Sequence, residues 1–156
     1  ANSDLEGLGG STSDYVNITG VQLEAGTTAS DFEFLPYDVN LGRCYRYYRT
    51  IVPLNTANTG FSMAFYTATA NGRFAMHLEN PMRATPSLDI VTGTNYFKIF
   101  SAGGGDDQFN SFSIMGNSTE KFVIANNTTE TSGTAGEAGY AQSANNSAYL
   151  GFEAEL

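Results

Sequence analysis

From Phe61 to Leu78, on either side of Asn71-Gly72, apolar and polar side chains alternate. Period-two alternation is the pattern of a strand with one buried face, and Asn-Gly is a favoured centre for a two-residue type I′ turn. The pattern predicts a β-hairpin pairing Ala70 with Arg73, Thr69 with Phe74, Thr67 with Met76 and Phe65 with Leu78. In that register Phe61, Met63, Phe65, Phe74, Met76 and Leu78 share an apolar face. Ser62, Ala64, Tyr66, Ala68, Arg73, Ala75 and His77 share the other, with His77 opposite Tyr66.

The same logic marks other strands. Tyr15–Leu23 alternates through Val16 and Ile18, and Gly20 shifts the phase to Val21 and Leu23, as a bulge or bend would. Gly26 to Ser30 reads as a turn, and Pro36 marks an edge or a connector. Gly42–Pro53 carries Tyr45, Tyr47, Tyr48, Ile51 and Val52, bulky groups on both faces of one predicted strand. Ser87–Val91, Asn95–Ser101, Gln108–Met115 and Glu120–Ala125 follow, the last two separated by a turn at Gly116-Asn117-Ser118. Residues 126–147 are a long polar stretch around Tyr140 with at most one weak strand. In the closing strand Ala148, Leu150, Phe152, Ala154 and Leu156 point one way and Tyr149, Glu153 and Glu155 the other, with Leu156 expected in the core. About eight short strands without a helical pattern predict an all-β protein, an antiparallel β-sandwich of jelly-roll-like kind. Residues 1–39 are expected to form a strand-containing connector, or the last strand of a preceding domain, and residues 40–156 the sandwich.

Composition agrees with many turns. Among 156 residues 41% are hydrophobic and only 15% charged, while Gly alone counts 17, so a core can form on a chain rich in turn residues. Lys and Arg total 7 against 16 Asp and Glu, a formal charge of −9. The one basic cluster, Arg43, Arg46 and Arg49, lies within a predicted strand, so neither nucleic acid nor an anionic membrane is an expected partner. Cys44 stands alone and reads as a small buried hydrophobe, which leaves no internal disulfide and no cysteine metal site. The opening Ala1-Asn2-Ser3-Asp4 has neither the basic nor the apolar region of a signal peptide, and reads as the start of a piece of a longer polypeptide.

Catalytic chemistry finds little purchase. His77 is the one histidine, and its expected neighbour Tyr66 makes a packing pair rather than a nucleophile with its base. Glu153 and Glu155 share a strand face and read as solvated. Gly103-Gly104-Gly105-Asp106-Asp107 reads as a flexible loop ending in two carboxylates, with no EF-hand spacing. The sequons at Asn17, Asn117, Asn126, Asn127 and Asn145 mark surface turns. No enzyme, cofactor or metal is expected. Aromatics in strands are usually core or interface residues.

Ile18-Thr19-Gly20-Val21-Gln22-Leu23-Glu24-Ala25-Gly26, followed by Pro36-Tyr37 and Arg43-Cys44-Tyr45-Arg46-Tyr47-Tyr48, resembles a segment of bacteriophage tail-fibre and related virion proteins. Pro81-Met82-Arg83-Ala84-Thr85-Pro86 and the terminal Ala154-Glu155-Leu156 fit the same pattern, whereas residues 95–147 resemble it weakly. Asp38-Val39-Asn40 departs from it where charged residues are usual. The resemblance implies an exposed virion module, usually homotrimeric, that contacts other virion proteins and helps recognise a bacterial surface glycan or protein. It implies no catalytic residues. By analogy of position the receptor loops fall within 101–147, with Asp106, Asp107, Tyr140 and Tyr66 as candidate contacts and Tyr149 behind them. Tyr45, Tyr47 and Tyr48 are the candidate subunit contacts. A purely structural role, as a capsid decoration or fibre-assembly module, is the alternative.

Overall fold

The computed structural model describes residues 15, 17–23, 25–28, 30–32, 34–103 and 105–155, and Leu156 lies outside them. The chain divides after Pro36 into two units, Ala1–Pro36 and Tyr37–Leu156.

In the first unit the expected strand at Tyr15–Leu23 is absent among the described residues. Gly20 adopts φ 69°, which breaks an extended run, and Ile18, Val21 and Leu23 are exposed. Gln22 Nε2 donates to Ser30 Oγ at 3.1 Å, and the rings of Phe32 and Phe34 meet edge to face at 6.0 Å.

The second unit opens with a helix, α1 (Tyr37–Cys44), where the sequence pattern showed none. Asp38 in its first turn and Arg43 in its last complement the helix dipole. The amides of Tyr45 and Tyr47 extend the turn by donating to Leu41 and Cys44 carbonyls. The strand expected from Gly42 therefore starts six residues later, and Cys44 is exposed on the helix end rather than buried.

Ten strands follow, rather than about eight: β1 (Tyr48–Val52), β2 (Gly60–Ala68), β3 (Asn71–His77), β4 (Ser87–Val91), β5 (Phe97–Ser101), β6 (Asp106–Phe109), β7 (Ser113–Ile114), β8 (Phe122–Asn127), β9 (Ala138–Ser143) and β10 (Tyr149–Glu153). They make an all-β fold of two antiparallel sheets. The small sheet has the order β1-β10-β4, and the large one β6-β5-β9-β2-β3-β8-β7, curled into a half-barrel.

The hairpin exists but in another register. Thr69-Ala70 forms the turn, and the ladder pairs Ala68 with Asn71, Tyr66 with Gly72, Phe65 with Arg73, Ala64 with Phe74 and Met63 with Ala75. The ladder is displaced by five residues, since Phe65 meets Arg73 and not Leu78, and an odd displacement turns the side chains of one strand over relative to the other. Ala64 and Tyr66 accordingly face the core, while Met63 and Phe65 face outward, the reverse of the expected sets. Phe61 still packs on the core because β2 is irregular against β9 between Gly60 and Ser62, where one extra residue changes the phase. His77 pairs with Phe122 instead of Tyr66.

Gly72 explains the slip. A Cβ there would lie 2.9 Å from Ile99 Cδ1 and 3.0 Å from Thr131 Cγ2, so the glycine serves close packing inside the sheet rather than a turn. Among the described residues the left-handed non-glycine ones are Asn55, Asn58 and Asn95, and Asn71 is not one of them.

One core joins the sheets. Val52, Leu150 and Phe152 of the small sheet belong to the same buried cluster as Phe74, Met76, Phe97, Ile99 and Val123 of the large one. At its centre Phe61, Phe74, Phe97, Phe109 and Phe112 form a contiguous set with ring centroids 5.2–6.4 Å apart. Such pairs add about 0.5–1.5 kcal/mol each beyond their burial. Phe112 lies in the short connection between β6 and β7, the two edge strands of the large sheet.

A candidate recognition surface at the loop end of the large sheet

Antiparallel pairing gathers three connections at one end of the large sheet. Ser101 pairs with Gly139, Phe65 with Ala138 and Gly72 with Asn127. The β2–β3 turn, the β5–β6 loop and the β8–β9 loop (128–137) therefore leave the sheet together.

The long β8–β9 loop is bound down by side chains. Asn127 Oδ1 accepts the amides of Thr129, Glu130 and Thr131 at 3.1, 2.9 and 3.2 Å, the local turn that Asn stabilises better than most residues. Asn127 Nδ2 donates to Ser111 O at 2.7 Å and Glu130 Oε2 at 2.9 Å, and Glu130 also accepts both the amide and the side chain of Asn110. Thr131 Oγ1 donates to Asn127 O and accepts the Gly72 amide at 2.9 Å. Further along, the Gly136 amide donates to Tyr66 O and the Tyr66 amide to Glu137 O, both at 2.9 Å. Glu137 then accepts the amides of Gly103 at 3.2 Å and Thr134 at 3.3 Å, linking two of the loops. The Ser101 hydroxyl, with the Thr134 and Gly103 amides, holds the Glu137 carboxyl below its ordinary range. What remains exposed is small: hydroxyl-bearing at Thr67, Thr69, Thr128, Thr129, Ser132 and Thr134, and apolar at Ala68, Ala70, Ala102 and Ala135.

The candidate contacts separate onto two faces. Asp106 and Asp107 are not loop residues; both lie in β6 and point to opposite sides of the sheet. Asp107 receives the Tyr66 hydroxyl at 2.7 Å, the Ser132 amide at 2.8 Å and the Ser132 hydroxyl at 3.2 Å. Tyr66 is 2% exposed, with Gly133 against its ring, so it offers no face for a ligand to stack on. Burial, then the bond to Asp107, pushes its hydroxyl well above the usual range. Asp106 faces outward and pairs with Lys98 at 2.9 Å. Tyr140, in β9, is half-exposed beside Phe100, with centroids 5.5 Å apart.

The tyrosines before and in β1 have internal partners. The Arg49 guanidinium lies over the Tyr45 ring at 5.1 Å and that of Arg83 over Tyr47 at 5.7 Å. On the outer face of the small sheet Tyr48 reaches over Gly151, donating to Asp89 Oδ2 at 2.6 Å and meeting the Tyr149 hydroxyl closely. Asp89 first, then Tyr149, raises the Tyr48 hydroxyl far above its normal range. Ala64, expected on the more polar face of the hairpin, is instead buried in the core.

Among the described residues no three His, Cys, Asp or Glu side chains gather as a metal site would require. None of their helices is long and apolar enough to cross a membrane. The arrangement at the loop end is one of backbone held by buried side chains, with small side chains left exposed. Asn127 was marked only as a sequon in a surface turn, whereas it is buried at the end of β8, and Glu137 and Ser132 were not marked at all. No family model, curated protein or solved structure matches the chain.

Proposed function

We propose that the chain is the C-terminal module of a virion surface or tail-fibre protein, homotrimeric, that recognises a host-surface glycan or protein and performs no catalysis. The observation that carries this reading is the loop end: three connections locked to one sheet by Asn127, Asp107 and Glu137, presenting exposed hydroxyl groups. Function-bearing loops on a rigid scaffold are the common design of recognition domains. The tail-fibre resemblance of residues 15–48 and 81–86 supports a virion setting, and the two sheets around one core support a β-sandwich of jelly-roll-like kind.

Glycan arrays and adsorption to bacterial cells test the reading. Saturable binding that follows the β8–β9 loop when it is exchanged is the expected result. Absence of binding in both assays, with infection unaffected by loop exchange, would remove it.

A second reading has its own observation. Met63, Phe65, Phe100, Phe122 and Tyr140 leave apolar surface exposed on the large sheet, as a structural virion part packed among other proteins would need. Electron microscopy placing the module on the head shell would favour that role.

A further inference from the structure

We infer that the outward face of the large sheet is the surface through which copies of this chain associate, an inference that rests on the homo-oligomeric reading above. The register builds an unbroken row across six strands: Asp106 opposite Phe100, Phe100 opposite Tyr140, Tyr140 opposite Met63, Met63 opposite Ala75 and Ala75 opposite Ile124. Met63 is 67% exposed, Tyr140 42% and Phe100 41%. At about 4.8 Å per strand the row is about 24 Å long. A standard interface of about 800 Å² per partner is roughly as broad.

Charge favours a second copy as the occupant. The unit Tyr37–Leu156 carries 10 Asp and Glu against 7 Lys and Arg, so two copies repel least where carboxylates are absent. Among the described strand positions of this face Asp106 is the only carboxylate, and Lys98 neutralises it at 2.9 Å. Arg73 adds positive charge beside Phe65. The like-charge penalty is therefore smallest here.

The lining points the same way. Met63, Phe100, Ala102, Ala138 and Tyr140 border a concavity of about 450 Å³ that is almost wholly apolar. Apolar side chains of another copy seated against this lining would release water from both surfaces.

Sedimentation velocity of the full chain at micromolar concentration tests this. Wild type, Met63→Glu, Phe65→Lys and Tyr47→Glu are compared, with circular dichroism confirming the fold. All three positions are exposed, so the fold should tolerate the changes. The expected result is a multimer for wild type and Tyr47→Glu, and a 16.7 kDa monomer for Met63→Glu and Phe65→Lys. If the two sheet variants remain multimeric, the inference is overturned while the homo-oligomeric reading stands. If wild type is a monomer, both fall. If Met63→Glu instead abolishes capture of a bacterial polysaccharide without changing the mass, the face belongs to a ligand and the inference is overturned.

Discussion

The Tyr66 hydroxyl donates to Asp107 Oδ2 at 2.7 Å, joining the central strand β2 to the edge strand β6. The same carboxylate accepts the Ser132 amide, so one buried tyrosine ties the core to the loop end.

Tyr66→Phe removes this bond and leaves Asp107 with Ser132 alone. The expected cost is about 1.5–3 kcal/mol, the usual worth of a hydrogen bond to a charged group. It is read as a lower midpoint in urea with an unchanged slope. The hydroxyl has a raised pKa when folded, so its contribution is complete below the unfolded value of about 10 and is lost as pH rises beyond it. Alkaline destabilisation should therefore be weaker in Tyr66→Phe than in wild type.

Gly139→Ala should destabilise by more than an ordinary glycine substitution in a strand. The new Cβ would stand 2.1 Å from the Phe100 carbonyl oxygen, and backbone cannot step aside as a side chain can. Overpacking of this kind costs about 1–3 kcal/mol or more. Thermal denaturation measures it, and a Gly116→Ala control, with nothing within 4 Å of its Cβ, should change little.

Glu137→Gln should loosen the β5–β6 loop without unfolding the sheet. The carboxylate accepts the Gly103 and Thr134 amides, and a neutral amide accepts them less strongly. Hydrogen exchange at Gly103 should quicken in the variant while β2 and β9 keep their protection. Because the folded pKa is lowered, the clamp is fully present above the ordinary Glu value of about 4.3 and is lost as pH falls through the folded value. Wild type at low pH should resemble the variant.

Much of the fold was legible in local pattern. Ser87–Val91 is β4 as read, and Leu150, Phe152 and Ala154 face the core as the alternation required. Two failures have physical causes. Asn71-Gly72 carries a strong turn signal, but Gly72 is needed where Ile99 and Thr131 press on the backbone, contacts made by residues far along the chain. α1 was hidden because its eight residues bury no side chain, leaving no apolar periodicity to detect. The candidate site was half legible. The region 101–147 does supply two of the loops, yet Tyr66 and Asp107 proved to be structural partners, because a tyrosine's burial depends on a register that the turn signal left five residues adrift.

Binding to bacteria tests the loop end most directly. Thr134→Trp and Thr128→Trp place a bulky ring on exposed loop positions whose side chains hold nothing in the scaffold, which should tolerate it. Fluorescently labelled wild-type protein should bind saturably to cells of at least one strain in a panel of bacteria, and both variants should lose at least tenfold in affinity with an unchanged melting temperature. Wild-type binding that the two variants retain in full would contradict recognition through this surface.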